Sequence, residues 1–355
     1  MDDFKAMQNK KPTLKTVAEH LAVSTATVSN AFNRPNQLSK VLRDKILLEC
    51  ERLGYTGPSS AARSLRTGKT SVIGVLLADN LAYNFTDPVA SEFLTGISKV
   101  LDAAHVNMLL LPSTSENYQN TQVESIPDSF IVYGKPIDNN VITHIVRQHK
   151  PVVAVDFCLP NFPSINIDNQ HAAYQVAKHA IHRPGDNVII LGLRLEPSTS
   201  LCLTSFNHLY SSEESVSRCR FEGYKQAMQE QGTSLSVEKV WQIHDLDISS
   251  LKTMLRGTLT APEKVDVLLC MSDKIALAAL DVATEIGLTM PDDIRIVGFD
   301  GIPIAERVGL TTIDQPIMQK GQLAAQMALG QIAPDSIQLE SKLVIRTSSE
   351  RFPNQ

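Results

Sequence analysis

From residue 71 onward, short apolar runs alternate with longer segments of helical spacing, and this alternation constrains the fold more than any other feature. The predicted strands cover 72–77, 107–111, 130–132, 152–155, 188–191, 265–270 and 294–299, and the predicted helices cover 89–104, 139–148, 172–181, 220–231 and 274–286. Continuous apolar strands separated by helices form parallel sheets that are covered on both faces. Two doubly wound subdomains with a cleft, or a single closed barrel, fit this pattern.

Residues 13–53 contain helical patterns without any strand-like run. Thr13 is predicted to cap a helix over 14–21, Ser24 a second helix over 25–32, and Ser39 a third helix that stops at Gly54. The predicted inner face of the third helix consists of Val41, Leu42, Ile46, Leu47, Cys50 and Leu53. Helices joined by a tight turn at Ala22-Val23, with a third packed across them, form either a helix-turn-helix or a plain three-helix bundle with solvated polar positions.

In a helix-turn-helix, the second helix enters the major groove with its N-terminal residues nearest the bases. Small hydroxyl residues bind phosphates or bases, Asn pairs with adenine, and Ala leaves room for a thymine methyl group. The DNA contacts predicted from these helices are Thr13, Lys15, Ser24, Thr25, Ala26, Thr27, Ser29, Asn30 and Asn33.

Charge is distributed unevenly along the chain. Residues 1–70 carry 12 basic and 6 acidic side chains, whereas the other 285 residues carry 21 and 32. The net charge of −5 argues against a protein that coats nucleic acid or membranes non-specifically. The basic N-terminal segment, however, has the charge needed to bind DNA phosphates. No apolar run reaches the ~18 residues of a membrane span, and no signal peptide is evident. The five scattered cysteines indicate reduced thiols, so we expect a cytoplasmic protein.

Polar residues follow several of the predicted strands, where open α/β sheets bind ligands. Asp156, Ser272 with Asp273, and Asp300 each end an apolar run, and Arg220 opens a predicted helix. Helix capping is the alternative role for each, and for Asp273 it is at least as well supported. The phosphate-loop, dinucleotide, nucleophile-elbow and zinc-protease motifs are absent from the sequence. His179 and His182 have no third ligand nearby, so we predict no enzyme activity, no cofactor and no metal site.

Two stretches carry a family resemblance: TLKTVAEHLAVSTATVSNAFNRP and ECERLGYTGPSSAARSLRTGKTSVIGVLL. They resemble the lactose-repressor (LacI) family of bacterial transcriptional regulators, and the resemblance extends over essentially the entire chain. It implies an N-terminal all-α helix-turn-helix domain over 1–58, a segment over 59–70 that contains a hinge helix and linker, and a periplasmic-binding-protein-like α/β effector domain over 71–355. That domain would comprise two doubly wound parallel-sheet subdomains, over 71–168 with 316–335 and over 169–315 with 336–355.

The resemblance also implies a hinge helix over 60–65 that orders on DNA. Within it, Ala62, Arg63 and Leu65 would contact the minor groove, with Leu65 as a wedge between base pairs. This chain is one residue longer than the common family spacing between Tyr55 and Leu65, and Gly57 is the additional residue.

The segments R-F-E-G-Y, S-D-K-I-A-L-A-A-L and V-G-F-D-G-I-P match stretches that line the effector cleft in the family. The resemblance implies effector contacts from Asp156, Arg220, Ser272 and Asp300. It also implies contacts from Tyr83 and Phe85 in the first βα loop, where the family often places an aromatic contact. Arg and Asp together suit a sugar or a sugar-like polyol. The resemblance therefore implies a homodimeric repressor that binds a pseudo-palindromic operator under effector control. A periplasmic-type solute-binding protein and a cytosolic α/β enzyme with a helical accessory domain are the alternatives.

Overall fold

The computed structural model describes residues 12–57, 64, 68–114, 123–136, 138–193, 195, 201–203, 215–243 and 248–350. The chain divides into two compact units, Met1–Ser71 and Val72–Gln355, which we call the head and the body. Across the described residues, no helix combines the length and the apolar character needed to cross a membrane.

The head contains the three expected helices: α1 (Leu14–His20), α2 (Thr25–Asn33) and α3 (Lys40–Arg52), with a 3₁₀ turn at Pro35–Gln37 between the last two. Each helix begins at a predicted cap. The side-chain oxygens of Thr13, Ser24 and Ser39 accept hydrogen bonds from backbone amides three residues later, at 3.2, 3.0 and 3.3 Å. Ala22, in the turn between α1 and α2, has a left-handed backbone with φ of 52°.

A small apolar core holds the head together. It consists of Val17, Ala18, Val28, Ala31, Ile46, Cys50 and Tyr55. The predicted inward position of Val41 is wrong, because its side chain is 81% exposed. Leu42, Ile46 and Cys50 repeat every four residues along one face of α3, and Val41 lies about 140° from Ile46 around that helix.

The first part of the body is a lobe built on a parallel sheet. Its elements are β1 (Val72–Leu77), α4 (Leu81–Thr86), α5 (Pro88–Ala104), β2 (Asn107–Leu111), a 3₁₀ turn (Val123–Ser125), β3 (Ser129–Tyr133), α6 (Asn139–Val146), β4 (Val152–Val155) and β5 (Ser164–Ile167). The central strands β1, β3 and β4 are buried on both faces, as their continuous apolar sequences predict, whereas β2 at the sheet edge is mostly half-buried.

The chain then enters a second lobe. Its elements are α7 (Asn169–Ala180), β6 (Val188–Gly192), β7 (Cys202–Leu203), α8 (Val216–Glu230), a 3₁₀ turn (Val237–Lys239), β8 (Val240–Gln242), α9 (Ile248–Leu259), β9 (Val267–Cys270), α10 (Asp273–Glu285), β10 (Arg295–Val297), α11 (Pro303–Arg307) and β11 (Thr312–Asp314). It next returns to the first lobe as α12 (Ile317–Ala328) and β12 (Ile337–Leu339), and β13 (Lys342–Val344) pairs with β11 in the second lobe.

Two large open sheets and the two-stranded sheet β11-β13 form among the described residues, so the closed-barrel alternative is wrong. The first has the order β12-β5-β4-β3-β1-β2 and is parallel throughout, and the second has the order β10-β9-β6-β8-β7. Among the described strands of the second sheet, only β7, at its edge, runs antiparallel. We call the lobe over 72–167 and 317–339 the N-lobe, and the lobe over 169–314 and 342–350 the C-lobe.

The chain passes between the lobes at three segments: after β5, after β11 and after β12. One predicted boundary differs from this arrangement. The sequence assigned all of 336–355 to the second subdomain, but Ile337–Leu339 pairs with β5 in the sheet of the N-lobe. This three-residue strand is too short to show a periodic pattern in the sequence.

Candidate functional site

The carboxyl ends of strands from both sheets surround a cavity of about 190 Å³ that both charged and apolar side chains line. Such an edge is where open parallel sheets bind ligands. The residues that line it are Ala78, Asp79, Tyr83, Asn84, Asp87, Pro88, Val89, Tyr133, Gly134, Asp156, Leu193, Val216, Arg220, Ser272, Lys274, Asp300, Ile302 and Gln315. Five of the six predicted effector residues are among them: Tyr83, Asp156, Arg220, Ser272 and Asp300.

Arg220 occupies the C-lobe wall of this cavity and is held on several sides. Its Nε donates to the Asn169 side chain at 3.0 Å, and its Nη1 donates to the Met271 carbonyl and to Asp300 Oδ1, the latter at 3.3 Å. The guanidinium lies 3.6 Å from the centroid of the Phe299 ring, in a cation–π contact. The sequence predicts that Arg220 is the first residue of its helix, and this is wrong. Helix α8 begins at Val216 with Ser215 as its cap, so Arg220 lies in the second turn.

Asp300 combines an unusual backbone with a buried carboxylate. Its φ of 129° is in the region that favours glycine, and Gly301 follows it with φ of 77°. Oδ1 accepts hydrogen bonds from Arg220 and, at 2.9 Å, from the Gln315 amide. Burial raises the pKa of Asp300, and the nearby Arg220 charge opposes that rise.

The N-lobe wall presents a second buried ion pair. Asp156 follows β4 with a left-handed φ of 59°, and its Oδ1 lies 2.6 Å from Nζ of Lys320 on α12. The Lys320 side chain is only 1% exposed. Tyr133, at the end of β3, stacks on Phe93 with 4.3 Å between ring centroids, and burial raises its pKa well above the ordinary value.

Tyr83 and Phe85 were predicted together, but only Tyr83 lines the cavity. Its hydroxyl donates to Asp87 at 3.3 Å, and the Lys274 ammonium lies 4.8 Å from its ring centroid. Phe85 is 65% exposed, and its assignment to the cavity is wrong. Both residues lie on α4, where positions two apart face nearly opposite sides of a helix.

The capping role belongs to Ser272, which also lines the cavity, and not to Asp273. Ser272 caps α10, since its Oγ accepts from the Ile275 amide at 3.2 Å. Asp273 is fully buried, and its carboxylate accepts from the backbone amides of Gly301 and Ile302 at 2.8 and 2.9 Å. It therefore fixes the turn that follows Asp300 and lies outside the cavity lining.

Sequence reasoning missed several polar residues at the cavity. Asp79, Asp87, Tyr133, Lys274 and Gln315 line it, and Lys320 supports it from behind. Asp79 and Tyr133 also end strands, so the rule that identified Asp156 would have found them. No local pattern in the sequence indicates Gln315 or Lys320. Gln315 lies in the second connection between the lobes, and Lys320 lies on α12, which follows that connection.

The head presents the predicted DNA-binding residues mainly at α2 and its cap. Thr25, Ala26 and Asn33 are exposed, and Thr27, Ser29 and Asn30 are partly exposed. Asn33 donates to the Ser29 carbonyl and hydroxyl at 3.1 and 3.2 Å. The sequence of α2, TATVSNAFN, carries no charged side chain.

Thr13 and Lys15, both exposed, lie at the start of α1. The Thr13 hydroxyl is 2.9 Å from the Thr16 hydroxyl, and the Lys15 ammonium is 3.9 Å from Glu19. The predicted hinge contacts Ala62, Arg63 and Leu65 lie outside the described residues. All of these DNA contacts stay predictions.

Among the described residues, no group of three or more His, Cys, Asp or Glu side chains is arranged to hold a metal ion. His179 is instead half-buried in the C-lobe, with its Nε2 2.9 Å from the Ser349 hydroxyl. Burial lowers the pKa of both His179 and His182.

Comparisons with known proteins agree with the two-part architecture. Residues 200–349 match the model of the periplasmic binding protein-like domain. An HTH-type transcriptional regulator of Mycobacterium tuberculosis is 32% identical over 326 residues, with 90% of this chain and 91% of the relative covered.

Solved structures give the same result. A LacI-family transcriptional regulator from Corynebacterium glutamicum matches with a TM-score of 0.69 and 25% identity, covering 96% of this chain and 100% of that one. A LacI-family regulator from Enterococcus faecium, solved with bound ribose, has a TM-score of 0.62 at 19% identity, covering 79% and 99%. The predicted fold class is confirmed: a helix-turn-helix head and a periplasmic-binding-protein-like body with two parallel sheets.

Proposed function

Because this chain belongs to the LacI family of HTH-type transcriptional regulators, we propose that it is a homodimeric repressor whose operator affinity depends on a small polar effector. Two heads would bind the half-sites of a pseudo-palindromic operator, with α2 in the major groove. The effector would occupy the cavity between the N-lobe and the C-lobe. Binding of DNA and binding of effector would then affect each other reciprocally.

The observation that carries the proposal is the cavity itself, at the carboxyl ends of both sheets. Its volume of about 190 Å³ is below the roughly 300–1,000 Å³ of pockets for drug-sized ligands, which favours a small molecule. The carboxylates of Asp79, Asp87, Asp156 and Asp300 supply acceptors for hydroxyl groups, and Arg220 supplies donors. A sugar or a sugar-like polyol has this complementary chemistry, and ribose occupies the related Enterococcus faecium regulator.

Operator binding is the first point to test. Selection from random duplex DNA with the full-length protein should enrich an inverted repeat, and fluorescence anisotropy should show tight binding to that repeat relative to scrambled DNA. A protein that enriches no sequence at low salt would contradict the proposal.

The effector is then sought by thermal shift against monosaccharides, disaccharides, polyols and nucleobases, followed by anisotropy with the selected operator. Arg220→Lys should abolish the change in operator affinity that the stabilising compound causes. Lysine cannot maintain the three hydrogen bonds that the guanidinium donates to Asn169, Met271 and Asp300. Binding of operator by the variant without effector should stay within about twofold of the parent.

The control is Gln226→Ala, an exposed position on the same helix, which should leave both measurements unchanged. An Arg220→Lys protein that still responds to the compound would remove Arg220 from the site.

A further inference from the structure

Lys320 is a charged residue in an environment where charges are rarely found. Its ammonium group lies in the protein interior, where an unpaired charge is strongly unfavourable. Two contacts compensate it: Asp156 Oδ1 at 2.6 Å and Gln315 Oε1 at 2.7 Å. Burial lowers the pKa of Lys320, and Asp156 opposes that effect.

The two partners of Lys320 belong to different parts of the body. Asp156 ends β4 in the N-lobe and lines the cavity, whereas Gln315 lies in the connection from β11 of the C-lobe to α12. The same Gln315 side chain donates through Nε2 to Asp300 Oδ1 at 2.9 Å. Asp300 is in turn paired with Arg220.

A continuous series of hydrogen bonds therefore crosses the body beneath the cavity. It runs from Asp156 through Lys320 and Gln315 to Asp300 and Arg220. Donors and acceptors alternate along it, with the neutral Gln315 amide joining the two ion pairs. Both carboxylates in it are at strained backbone positions, with φ of 59° and 129°. Such positions persist only when surrounding contacts hold them.

We propose that Lys320 is a positioning residue for the cavity, which through Gln315 fixes Asp156 of one wall and Asp300 of the other as a single unit. Lys320 acts through its two partners and is absent from the cavity lining. The inference rests on the function proposed above only in treating the cavity as a ligand site. Its test uses neither DNA nor effector, so the two can fail separately.

The competing explanation is purely structural: Lys320 only neutralises a buried Asp156. Hydrogen exchange of backbone amides separates the two explanations, because each wall has its own reporters. Asp156 N donates to the Ile165 carbonyl at 3.0 Å in the N-lobe, and Asp300 N donates to the Ile313 carbonyl at 2.9 Å in the C-lobe. We call the peptides that contain these amides the N-lobe reporter and the C-lobe reporter.

In Lys320→Met, exchange should accelerate at least tenfold in both reporters of the full-length protein. In the double variant Lys320→Met/Asp156→Asn, the unpaired buried charge is removed but the connection to Gln315 stays broken. The N-lobe reporter should therefore recover, while the C-lobe reporter should remain fast. Recovery of both reporters would show that charge compensation is the whole effect, and would overturn the proposal.

Gln315→Leu tests the connection without touching the ion pair, and serves if the Lys320 variants do not fold. It should accelerate exchange in the C-lobe reporter and leave the N-lobe reporter within twofold of the parent. Gln319→Met, at the adjacent exposed position of α12, is the matched control and should change neither reporter. If Gln315→Leu leaves the C-lobe reporter unchanged, the proposal is wrong.

Discussion

At the scale of single residues, the cavity is defined by cations that hold strained carboxylates in place. Asp156 and Asp300 both have positive φ, and each is paired with a buried cation, Lys320 or Arg220. Asp tolerates the left-handed region better than most residues, because its short side chain bonds locally. These two positions therefore combine a backbone function with a side-chain function, which accounts for aspartate at both.

His179 gives a residue-scale prediction about pH. Burial lowers its pKa in the folded protein, with a smaller opposing effect from Glu350, while the unfolded chain titrates near 6.5. The unfolded state therefore binds a proton more readily, so the contribution of His179 to stability is present above about pH 6.5 and is lost as the pH falls below it. Melting temperatures measured between about pH 7.5 and 5 should decrease less for His179→Gln than for the parent.

His171→Gln is the matched control, since His171 is solvent-exposed on the same helix, α7. It should retain the pH dependence of the parent protein. His182, whose pKa burial also lowers, should keep part of the pH dependence in His179→Gln. A His179→Gln profile parallel to that of the parent would contradict the role assigned to this histidine.

At the scale of secondary-structure elements, each lobe contains a helix pair whose close approach depends on glycine. In the N-lobe, a methyl group at Gly96 of α5 would overlap the backbone oxygen of Met318 on α12, and Gly321 faces the Phe93 carbonyl in the same way. In the C-lobe, Gly223 of α8 faces the Gln170 carbonyl of α7. No side chain can be added at these positions without separating the helices.

Gly96→Ala and Gly223→Ala should each lower the free energy of unfolding by about 1–3 kcal/mol, the usual cost of overpacking. Urea denaturation of the full-length protein measures this change. Gly257→Ala is the control within helix α9, where a new methyl group has no neighbour within 4 Å. It should stabilise by up to about 1 kcal/mol through helix propensity. Equal effects at all three positions would rule out close packing as the cause.

Local patterns predicted elements with a continuous apolar run or a clear amphipathic repeat, whereas the twelve-residue helix α9 and several short strands were missed. The apolar run at β1 and the amphipathic spacing of α5 were identified because each repeats over several residues. The strands β5, β8 and β12 have three or four residues each, including polar ones, so no continuous apolar run distinguishes them. The equally short β4 was found because all four of its residues are apolar.

The same limit applies to the cavity. Asp156 and Asp300 were found because they end strands, whereas Lys320 meets Asp156 across 164 residues of sequence. Such a contact follows from the route of the chain between the lobes, and a single sequence does not encode that route in any local pattern.

At the scale of the whole molecule, charge and recognition are divided between the two units. Residues 1–70 carry 12 basic and 6 acidic side chains, and the rest of the chain carries 21 basic and 32 acidic. Because α2 is uncharged, its residues suit the proposed base contacts, and attraction to phosphates would come from basic residues elsewhere in the head, of which Lys15 is a predicted contact. The acidic body contributes repulsion to any non-specific contact with DNA.

The salt dependence of operator binding tests this division and the dimer together. The logarithm of the binding constant falls with the logarithm of salt concentration by about 0.9 for each phosphate contact. A dimer carries two copies of Lys15, so Lys15→Gln should reduce the magnitude of that slope by about 2, as measured by anisotropy with the selected operator. Lys252→Gln in the body, where Lys252 pairs with Asp281 at 2.7 Å, should leave the slope unchanged. A reduction of about 1 would indicate that a single head contacts DNA, and an unchanged slope in Lys15→Gln would remove this residue from the interface.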